Sequence, residues 1–151
     1  MPDDRTANCF VDTNIWLYAF VEADDPSKSA IAGKLIADIE PVISTQVINE
    51  VCVNLLRQAS FPEDQIAQLI EAFCGKYRVV ELGRPALLAA SRLRKTYSLS
   101  FWDSTIVSAA LSSGVSLLYS EDMQHGMLFE GRLQVRNPFT SKGYSESDKD
   151  S

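Results

Sequence analysis

The sequence predicts an α/β fold with a mostly parallel central sheet of four or five strands flanked by helices. Short apolar runs between polar residues are typical of strands buried in a parallel sheet. Between these runs lie segments of about a dozen residues with apolar side chains at helical spacing. Alternating strands and helices are typical of α/β proteins, and 151 residues are typical of one domain.

The first strand and the first two helices are predicted in the opening forty residues. An apolar run predicts a strand at residues 8–11, and helical spacing follows at residues 13–20. After an acidic turn with one proline, we expect Ser27 to cap a second helix, because apolar residues then recur every four positions as far as Ile39.

The middle of the chain predicts a second strand followed by two helices. The strand covers residues 41–43, and Ser44 or Thr45 is a suitable N-cap for the helix after it. Pro62 begins another helix, because proline is favoured at a helix start, and Gly75 is predicted to end it.

The last third predicts further strands that alternate with helices. By the same patterns, strands are expected at residues 78–82, 116–119 and 133–135, and helices at residues 83–97 and 102–113, the second of which stops at Gly114. From Thr140 onward polar and charged residues replace apolar ones. We therefore expect one domain over residues 1–139 and a disordered, acidic and polar tail over residues 140–151.

The charge balance is acidic, with 20 Asp and Glu against 14 Lys and Arg and a net charge of -6. A protein that binds nucleic acid by charge alone is normally basic, and this one repels phosphate at long range. If the chain handles nucleic acid, a bound cation must therefore screen its carboxylates.

The residue inventory excludes several kinds of site. A single histidine, His125, cannot supply a His-rich metal site, and the sequence has no GxSxG, Walker A or GxGxxG motif. The three cysteines lie far apart without a CxxC pair, which argues against a disulfide framework and a zinc ribbon. With no long apolar run, we expect a cytoplasmic protein that does not enter membranes.

Two acidic residues follow predicted strands. Asp12 comes directly after the first strand and Asp122 shortly after the fourth. Ligands of open α/β sheets bind at the carboxyl ends of strands, so both acids are expected at the same edge. Each residue alone is explained equally well as a helix N-cap, but two together favour a site.

Asp103 and Glu50 are two further candidate acids. Asp103 is flanked by apolar residues at a helix start, where the helix dipole alone also favours an acid. Glu50 lies at the edge of an apolar stripe on a helix, and by itself such a residue is more often a solvated flank. Four acids without histidine favour a hard cation, Mg²⁺ or Mn²⁺, which activates water and stabilises charge on phosphate.

Four motifs together resemble the PIN-domain ribonucleases, and among them the VapC-type toxins of bacterial toxin–antitoxin pairs. They are the FVDTN sequence around Asp12, VINE ending at Glu50, FWDSTI around Asp103 and YSEDMQHG around Asp122. The resemblance covers about residues 8 to 139 and implies a PIN-like three-layer sandwich. It implies that these four acids bind the metal, with Ser120 where the family often has threonine.

The same resemblance implies function and partners. It implies a Mg²⁺- or Mn²⁺-dependent endoribonuclease acting on RNA, a homodimer, and a small antitoxin protein as inhibitor. Thr13 and Asn14 either support the metal site or cap the first helix. The two alternatives to the nuclease are a catalytically silent PIN-fold interaction module and a phosphatase on a related α/β plan. The phosphatase requires an Asp where this chain has Asn14.

Two other groups of residues have two interpretations each. The basic residues before Leu99 either contact RNA phosphates or stabilise a helix end; they are Arg92, Arg94 and Lys95. The aromatic residues of the first helix are more consistent with a core or dimer contact than with stacking on bases; they are Trp16, Tyr18 and Phe20.

Overall fold

Strands and helices alternate along the chain, as the sequence predicts. The computed structural model describes residues 7–21 and 25–140, and within them it contains six helices and six strands. In chain order these elements are β1 (Asn8–Val11), α1 (Thr13–Phe20), α2 (Pro26–Asp38), β2 (Glu40–Ser44), α3 (Thr45–Gln58), α4 (Glu63–Lys76), β3 (Arg78–Val80), α5 (Arg84–Tyr97), α6 (Phe101–Ser113), β4 (Leu117–Tyr119), β5 (Leu128–Phe129) and β6 (Leu133–Arg136).

The six strands form one sheet in the order β3-β2-β1-β4-β6-β5. All neighbouring pairs are parallel except β5 with β6. The central strands are buried and apolar, as expected for a parallel sheet covered on both faces. The predicted α/β class with a mostly parallel sheet is confirmed.

The helices cover the sheet on both faces. The chain moves outward from β1 through β2 to β3 and then returns past β1 to β4. Because parallel crossovers are right-handed, the first four helices lie on one face, and α5 and α6 lie on the other. The helix contacts agree, since α5 packs on α6 while α1 packs on α2 and α3. The result is the predicted three-layer sandwich.

Trp16 anchors the core on the face formed by the first four helices. Its indole is fully buried, and its N–H donates to the carbonyl of Val11 at 3.1 Å. The rings of Phe73 and Tyr77 each lie 5.1 Å from it, centroid to centroid. Replacing a residue packed in this way by alanine typically costs about 3–5 kcal/mol of stability. Trp16 is therefore a core residue, which leaves it unavailable for stacking on bases.

The predicted count of four or five strands is wrong, because the described residues contain six. The missed strand is β5, a two-residue edge strand that pairs antiparallel with β6. Two residues in the left-handed conformation, Glu130 and Gly131, form the turn between them. A strand of two residues has no periodicity to recognise. The third strand is also shorter than predicted and ends at Val80.

Several helix boundaries differ from the prediction. Pro62 is the N-cap of α4 rather than its first residue, and α6 begins at Phe101 rather than at residue 102. Asp25, not Ser27, caps α2, because its carboxylate accepts from the backbone N–H of Lys28 at 3.0 Å and Pro26 occupies the first helical position. Gly75 does not end α4, which continues to Lys76, because Gly75 lacks the positive φ of a glycine stop. The predicted disordered tail falls almost wholly on residues 141–151, which lie outside the described residues.

None of the helices in the described ranges has the length and apolar character needed to cross a membrane.

Candidate active site

The candidate site lies at the edge of the sheet where β1, β2 and β4 end. The backbone N–H of Asp12 donates to the carbonyl of Tyr119 at 3.0 Å, which continues the pairing of β1 with β4 by one residue. The Ser120 hydroxyl, directly after β4, donates to Asp12 Oδ2 at 2.8 Å. The two strand ends therefore meet where the sequence predicts.

Asp12 is the most buried acid of the site, with 4% of its surface exposed. Its Oδ1 accepts from the backbone N–H of Thr13 at 2.6 Å, so Asp12 caps α1 and also faces the site. The pKa of Asp12 is raised to about 6, and burial is the largest cause. The bonds from Thr13 and Ser120 lower that pKa, and the charges of Asp122 and Glu50 raise it further. Asp12 is therefore the N-cap of α1 and also a buried acid at this edge of the sheet.

Glu50 is held by two side-chain donors. The Thr13 hydroxyl donates to Oε2 at 2.8 Å, and the amide of Gln46 donates to Oε1 at 2.9 Å. The amide oxygen of Gln46 in turn accepts from the hydroxyl of Thr105, a buried residue of α6. This chain of contacts joins α1, α3 and α6 at the carboxylate of Glu50.

Asp122 lies in the loop after β4 and contacts α1. The side-chain N–H groups of Asn14 lie 3.1 and 3.3 Å from its two carboxylate oxygens. Partial burial raises the pKa of Asp122, and the charges of Glu121, Asp103 and Glu50 act in the same direction. The Asn14 bond opposes that rise. Asn14 therefore supports an acid of the site rather than capping α1.

Asp103 lies in the first turn of α6, but it is not the cap of that helix. Ser100 is the N-cap, and its hydroxyl accepts from the backbone N–H of Asp103 at 3.1 Å. The carboxylate of Asp103 makes no hydrogen bond to another residue in the described ranges. The negative charge of Asp103 nevertheless acts on a neighbouring acid, since it raises the pKa of Asp122.

The four acids line one open cleft of about 640 Å³. Thr13 and Asn14 also line it, while Ser120 is buried behind Asp12. Within the ranges described, none of the four acids forms an ion pair with a basic side chain. The remaining lining residues are Gln46, Asn49, Val53, Asn54, Arg57, Trp102 and Ile106.

The donor chemistry of this cleft fits a hard cation, since four carboxylates and several amide and hydroxyl oxygens face it. The arrangement is not that of a closed metal site: among the residues that the structure describes, no three Asp, Glu, His or Cys side chains converge closely enough to hold an ion. The carboxylates nevertheless act on one another: Asp122 and Glu50 raise the pKa of Asp12, and Asp103 and Glu50 raise the pKa of Asp122.

The basic residues before Leu99 do not line the cleft. Arg94 donates to the Ser104 hydroxyl at 2.7 Å, and its guanidinium lies 4.3 Å from the centre of the Phe101 ring. Arg94 therefore packs α5 against the start of α6. His125 likewise has a structural contact, since its Nδ1 accepts from the backbone N–H of Asn137 at 3.0 Å.

Seven cleft residues were not predicted as site residues, among them Gln46, Arg57 and Trp102. Glu50 and Arg57 lie seven positions apart on α3, which places them on one face of the helix. That spacing could have identified Arg57. Nothing in the sequence near Gln46 indicates its contact with Thr105, which is 59 positions away.

Comparisons with known proteins agree with this fold. The family model of the PIN domain matches residues 9–125. A toxin–antitoxin complex from Klebsiella pneumoniae superposes with a TM-score of 0.64 at 17% identity, covering 87% of this chain and 98% of that one. VapC20 from Mycobacterium tuberculosis, a toxin that cleaves the sarcin-ricin loop, gives a TM-score of 0.63 at 20% identity, covering 76% and 91%.

VapBC2 from Rickettsia felis, bound to a fragment of promoter DNA, gives a TM-score of 0.60 at 17% identity, with 86% and 98% covered. At such identities the likeness bears on the fold alone. No curated protein sequence matches the chain.

Proposed function

The chain belongs to the PIN domain family, and on that premise we propose that it is a metal-dependent endoribonuclease and the toxin of a type II toxin–antitoxin pair. One observation carries the proposal: four carboxylates from four separate segments line one cleft, and none of them forms an ion pair with a basic side chain of the described residues. Such a concentration of unpaired charge is costly unless a ligand compensates it.

Mg²⁺ or Mn²⁺ is the cofactor we propose, held by Asp12, Glu50, Asp103 and Asp122. When bound, such a cation supplies a Lewis acid for the phosphate and lowers the pKa of its bound water. Thr13, Asn14 and Ser120 are the supporting residues, because each donates a hydrogen bond to one of these carboxylates. Such donors orient metal ligands in many proteins.

Protein side chains are proposed to orient and deprotonate the attacking water. Glu50 is fixed by Thr13 and Gln46, which suits it to orient the attacking water and accept its proton, and Asp103 is the second candidate for that role. The cleft offers neither a cysteine nor a histidine as nucleophile. Attack of this water on the phosphorus, with the bond to the 3′ oxygen breaking and that oxygen taking a proton, leaves a 5′-phosphate and a 3′-hydroxyl.

The partners we propose follow from similar structures. The Klebsiella pneumoniae structure is a toxin–antitoxin complex, and the Mycobacterium tuberculosis protein is a toxin that cleaves the sarcin-ricin loop. By extension we infer RNA as the substrate here and a small antitoxin protein as inhibitor. The homodimer, which the resemblance of the four motifs implies, is proposed as the assembly on that ground alone.

Incubating the purified chain with RNA and Mn²⁺, with and without EDTA, tests the activity. We expect cleavage that EDTA abolishes and products that carry 5′-phosphates. Products with 2′,3′-cyclic phosphates, or cleavage that survives EDTA, would refute the mechanism. Asp38→Asn is a matched control, because Asp38 is an exposed acid on α2, outside the cleft, and its loss should leave cleavage unchanged.

Metal binding is measured separately by titration calorimetry. Wild-type protein should bind Mn²⁺, and the double variant Asp12→Asn with Asp103→Asn should not. A catalytically silent interaction module predicts no cleavage with any metal, and a phosphatase predicts release of phosphate from p-nitrophenyl phosphate. Either result would replace the nuclease proposal.

A further inference from the structure

Trp102 stands out among the apolar side chains of the chain. Its indole is 61% exposed, the largest exposed fraction among the large apolar side chains of the described residues. It nevertheless lines the cleft beside Asp103 and Asp122. Single exposed apolar side chains are common, but an exposed aromatic ring that lines a cleft is available to contact a ligand bound there.

The backbone of Trp102 is tied to the carboxylates of the site. The hydroxyl of Thr105 lies 2.7 Å from the Trp102 carbonyl and also contacts Gln46, the amide that holds Glu50. Thr105 and Gln46 thereby connect the backbone of Trp102 to the part of the cleft that contains Glu50.

The ring itself is supported from behind. Trp102 and Phe101 meet at 79° with centroids 5.4 Å apart, and the guanidinium of Arg94 lies over Phe101. Arg94 is in turn held by Ser104. Edge-to-face and cation–π contacts of this kind fix ring orientation. These contacts therefore hold the indole of Trp102 in one orientation, with its exposed part facing solvent.

The opposite end of the cleft carries a positive charge. Arg57 is the one basic side chain among the described residues that line the cleft, and it makes no hydrogen bond or ion pair within the described ranges. It lies on the α3 face that also carries Gln46, eleven residues away, or about 16 Å along the helix axis. The cleft wall is therefore long enough for several groups of an extended ligand.

A planar aromatic surface and a guanidinium in the same cleft suit a single nucleic-acid strand once a bound cation screens the carboxylates. Stacking on a ring does not depend on charge, which matters for a protein of net charge -6. A duplex keeps its bases stacked internally and offers no free base face. Building on the proposed ribonuclease function, we propose that Trp102 stacks an unpaired RNA base beside the scissile phosphate and that Arg57 binds a phosphate further along the same strand.

Fluorescence of Trp102 tests the proposal without relying on cleavage. The chain has two tryptophans, and Trp16 is buried, so a Trp16→Phe background leaves Trp102 as the reporter. Single-stranded rA12 and rU12 are titrated in Ca²⁺ and, separately, in EDTA, with the rA12–rU12 duplex for comparison. We expect saturable quenching by the single strands and at least tenfold weaker binding of the duplex.

Variants then measure the contribution of each group by the anisotropy of labelled RNA. Trp102→Ala should weaken single-strand binding about 5- to 150-fold, which corresponds to about 1–3 kcal/mol for one stacked base, and Trp102→Phe should restore most of it. Arg57→Gln should weaken binding and reduce its salt dependence. Leu87→Ala is the control, since Leu87 is an exposed apolar residue outside the cleft and its loss should change nothing.

Three outcomes would overturn the inference. They are absent quenching in both buffers, unchanged affinity in Trp102→Ala, and a change of mass by light scattering in Trp102→Ala, which would assign the ring to a contact between subunits. Failure of the proposed function looks different. In that case the RNA binds and quenches Trp102, but wild-type protein does not cleave it with Mn²⁺.

Discussion

Asp12→Asn is expected to stabilise the metal-free protein at neutral pH. Folding buries the Asp12 carboxylate and raises its pKa from 3.8 to about 6. Between these values the folded state binds a proton that the unfolded chain has released, so the free energy of unfolding falls as the pH rises. The pKa shift of about 2 units lowers the free energy of unfolding by about 3 kcal/mol, and this loss is complete above pH 6.

An asparagine at position 12 removes this penalty with little loss of bonding. Its amide oxygen can accept from the Thr13 N–H, and its amide N–H can donate to the Ser120 hydroxyl oxygen, the two groups that Asp12 now contacts. Loss of the charge also relieves repulsion on Asp122 and Glu50. The variant therefore keeps the contacts that position α1 while it loses the ionisation.

Urea denaturation in EDTA at pH 5.0 and pH 7.5 measures the effect. Ionised Asp12 has already cost the wild type about half of this free energy of unfolding at pH 5.0. The difference in unfolding free energy between Asp12→Asn and wild type should therefore grow by about 1.5 kcal/mol at the higher pH. For a chain of this length that equals a further 3–6 °C in Tm. Mn²⁺ should reverse the order at pH 7.5, because it stabilises the ionised wild type.

The control is Asp38→Asn, which removes an exposed carboxylate paired with Lys34 on α2. It should change stability by no more than a few tenths of a kcal/mol at either pH. The reasoning fails if Asp12→Asn and wild type lose stability equally between pH 5.0 and 7.5. It also fails if the variant is less stable than wild type at pH 7.5 without metal.

Three further predictions concern the groups around the carboxylates. Asp103→Asn should keep the metal-free melting temperature at or slightly above that of wild type while abolishing cleavage; stability that falls by about 1 kcal/mol with cleavage intact would mean a helix-dipole role. Gln46→Leu should lower cleavage 10- to 100-fold, because it releases one side of Glu50, whereas the control Gln58→Leu on the same helix should not. Lys28→Met should cost about 1 kcal/mol in urea denaturation, because Lys28 is the cation paired with the half-buried Glu121; no loss would show that solvent compensates the charge.

The acids at the strand ends could be predicted because their signal is local. An apolar run that stops at Asp12, followed at once by helical spacing, indicates both the end of a strand and the start of a helix. Parallel pairing then brings Asp12 and Asp122 to one edge without any knowledge of side-chain packing. The structure places both acids on one cleft, as this reasoning requires.

The parts that could not be predicted depend on geometry that only the folded chain creates. The two-residue strand β5 exists because β6 is available to pair with it, and so short a segment has no period of its own. The replacement of Ser27 by Asp25 as the cap of α2 depends on which side chain reaches the backbone N–H of Lys28. Local composition favours both residues equally.

The roles of Gln46 and Trp102 show the same limit at the site. Gln46 is an ordinary helix residue until Thr105 of another helix orients its amide towards Glu50. Trp102 reads as part of an apolar run, and only the fold shows that its ring faces solvent while Ile106, one turn later, is buried. The sequence thus identifies charged groups whose burial would be costly, whereas the groups that orient them and the surface that contacts a ligand depend on long-range packing. The contacts that fix Glu50 and the exposure of Trp102 depend on long-range packing, so variants at Gln46 and Trp102 test the structure. Variants at Asp12 and Asp103 test the reasoning from the sequence.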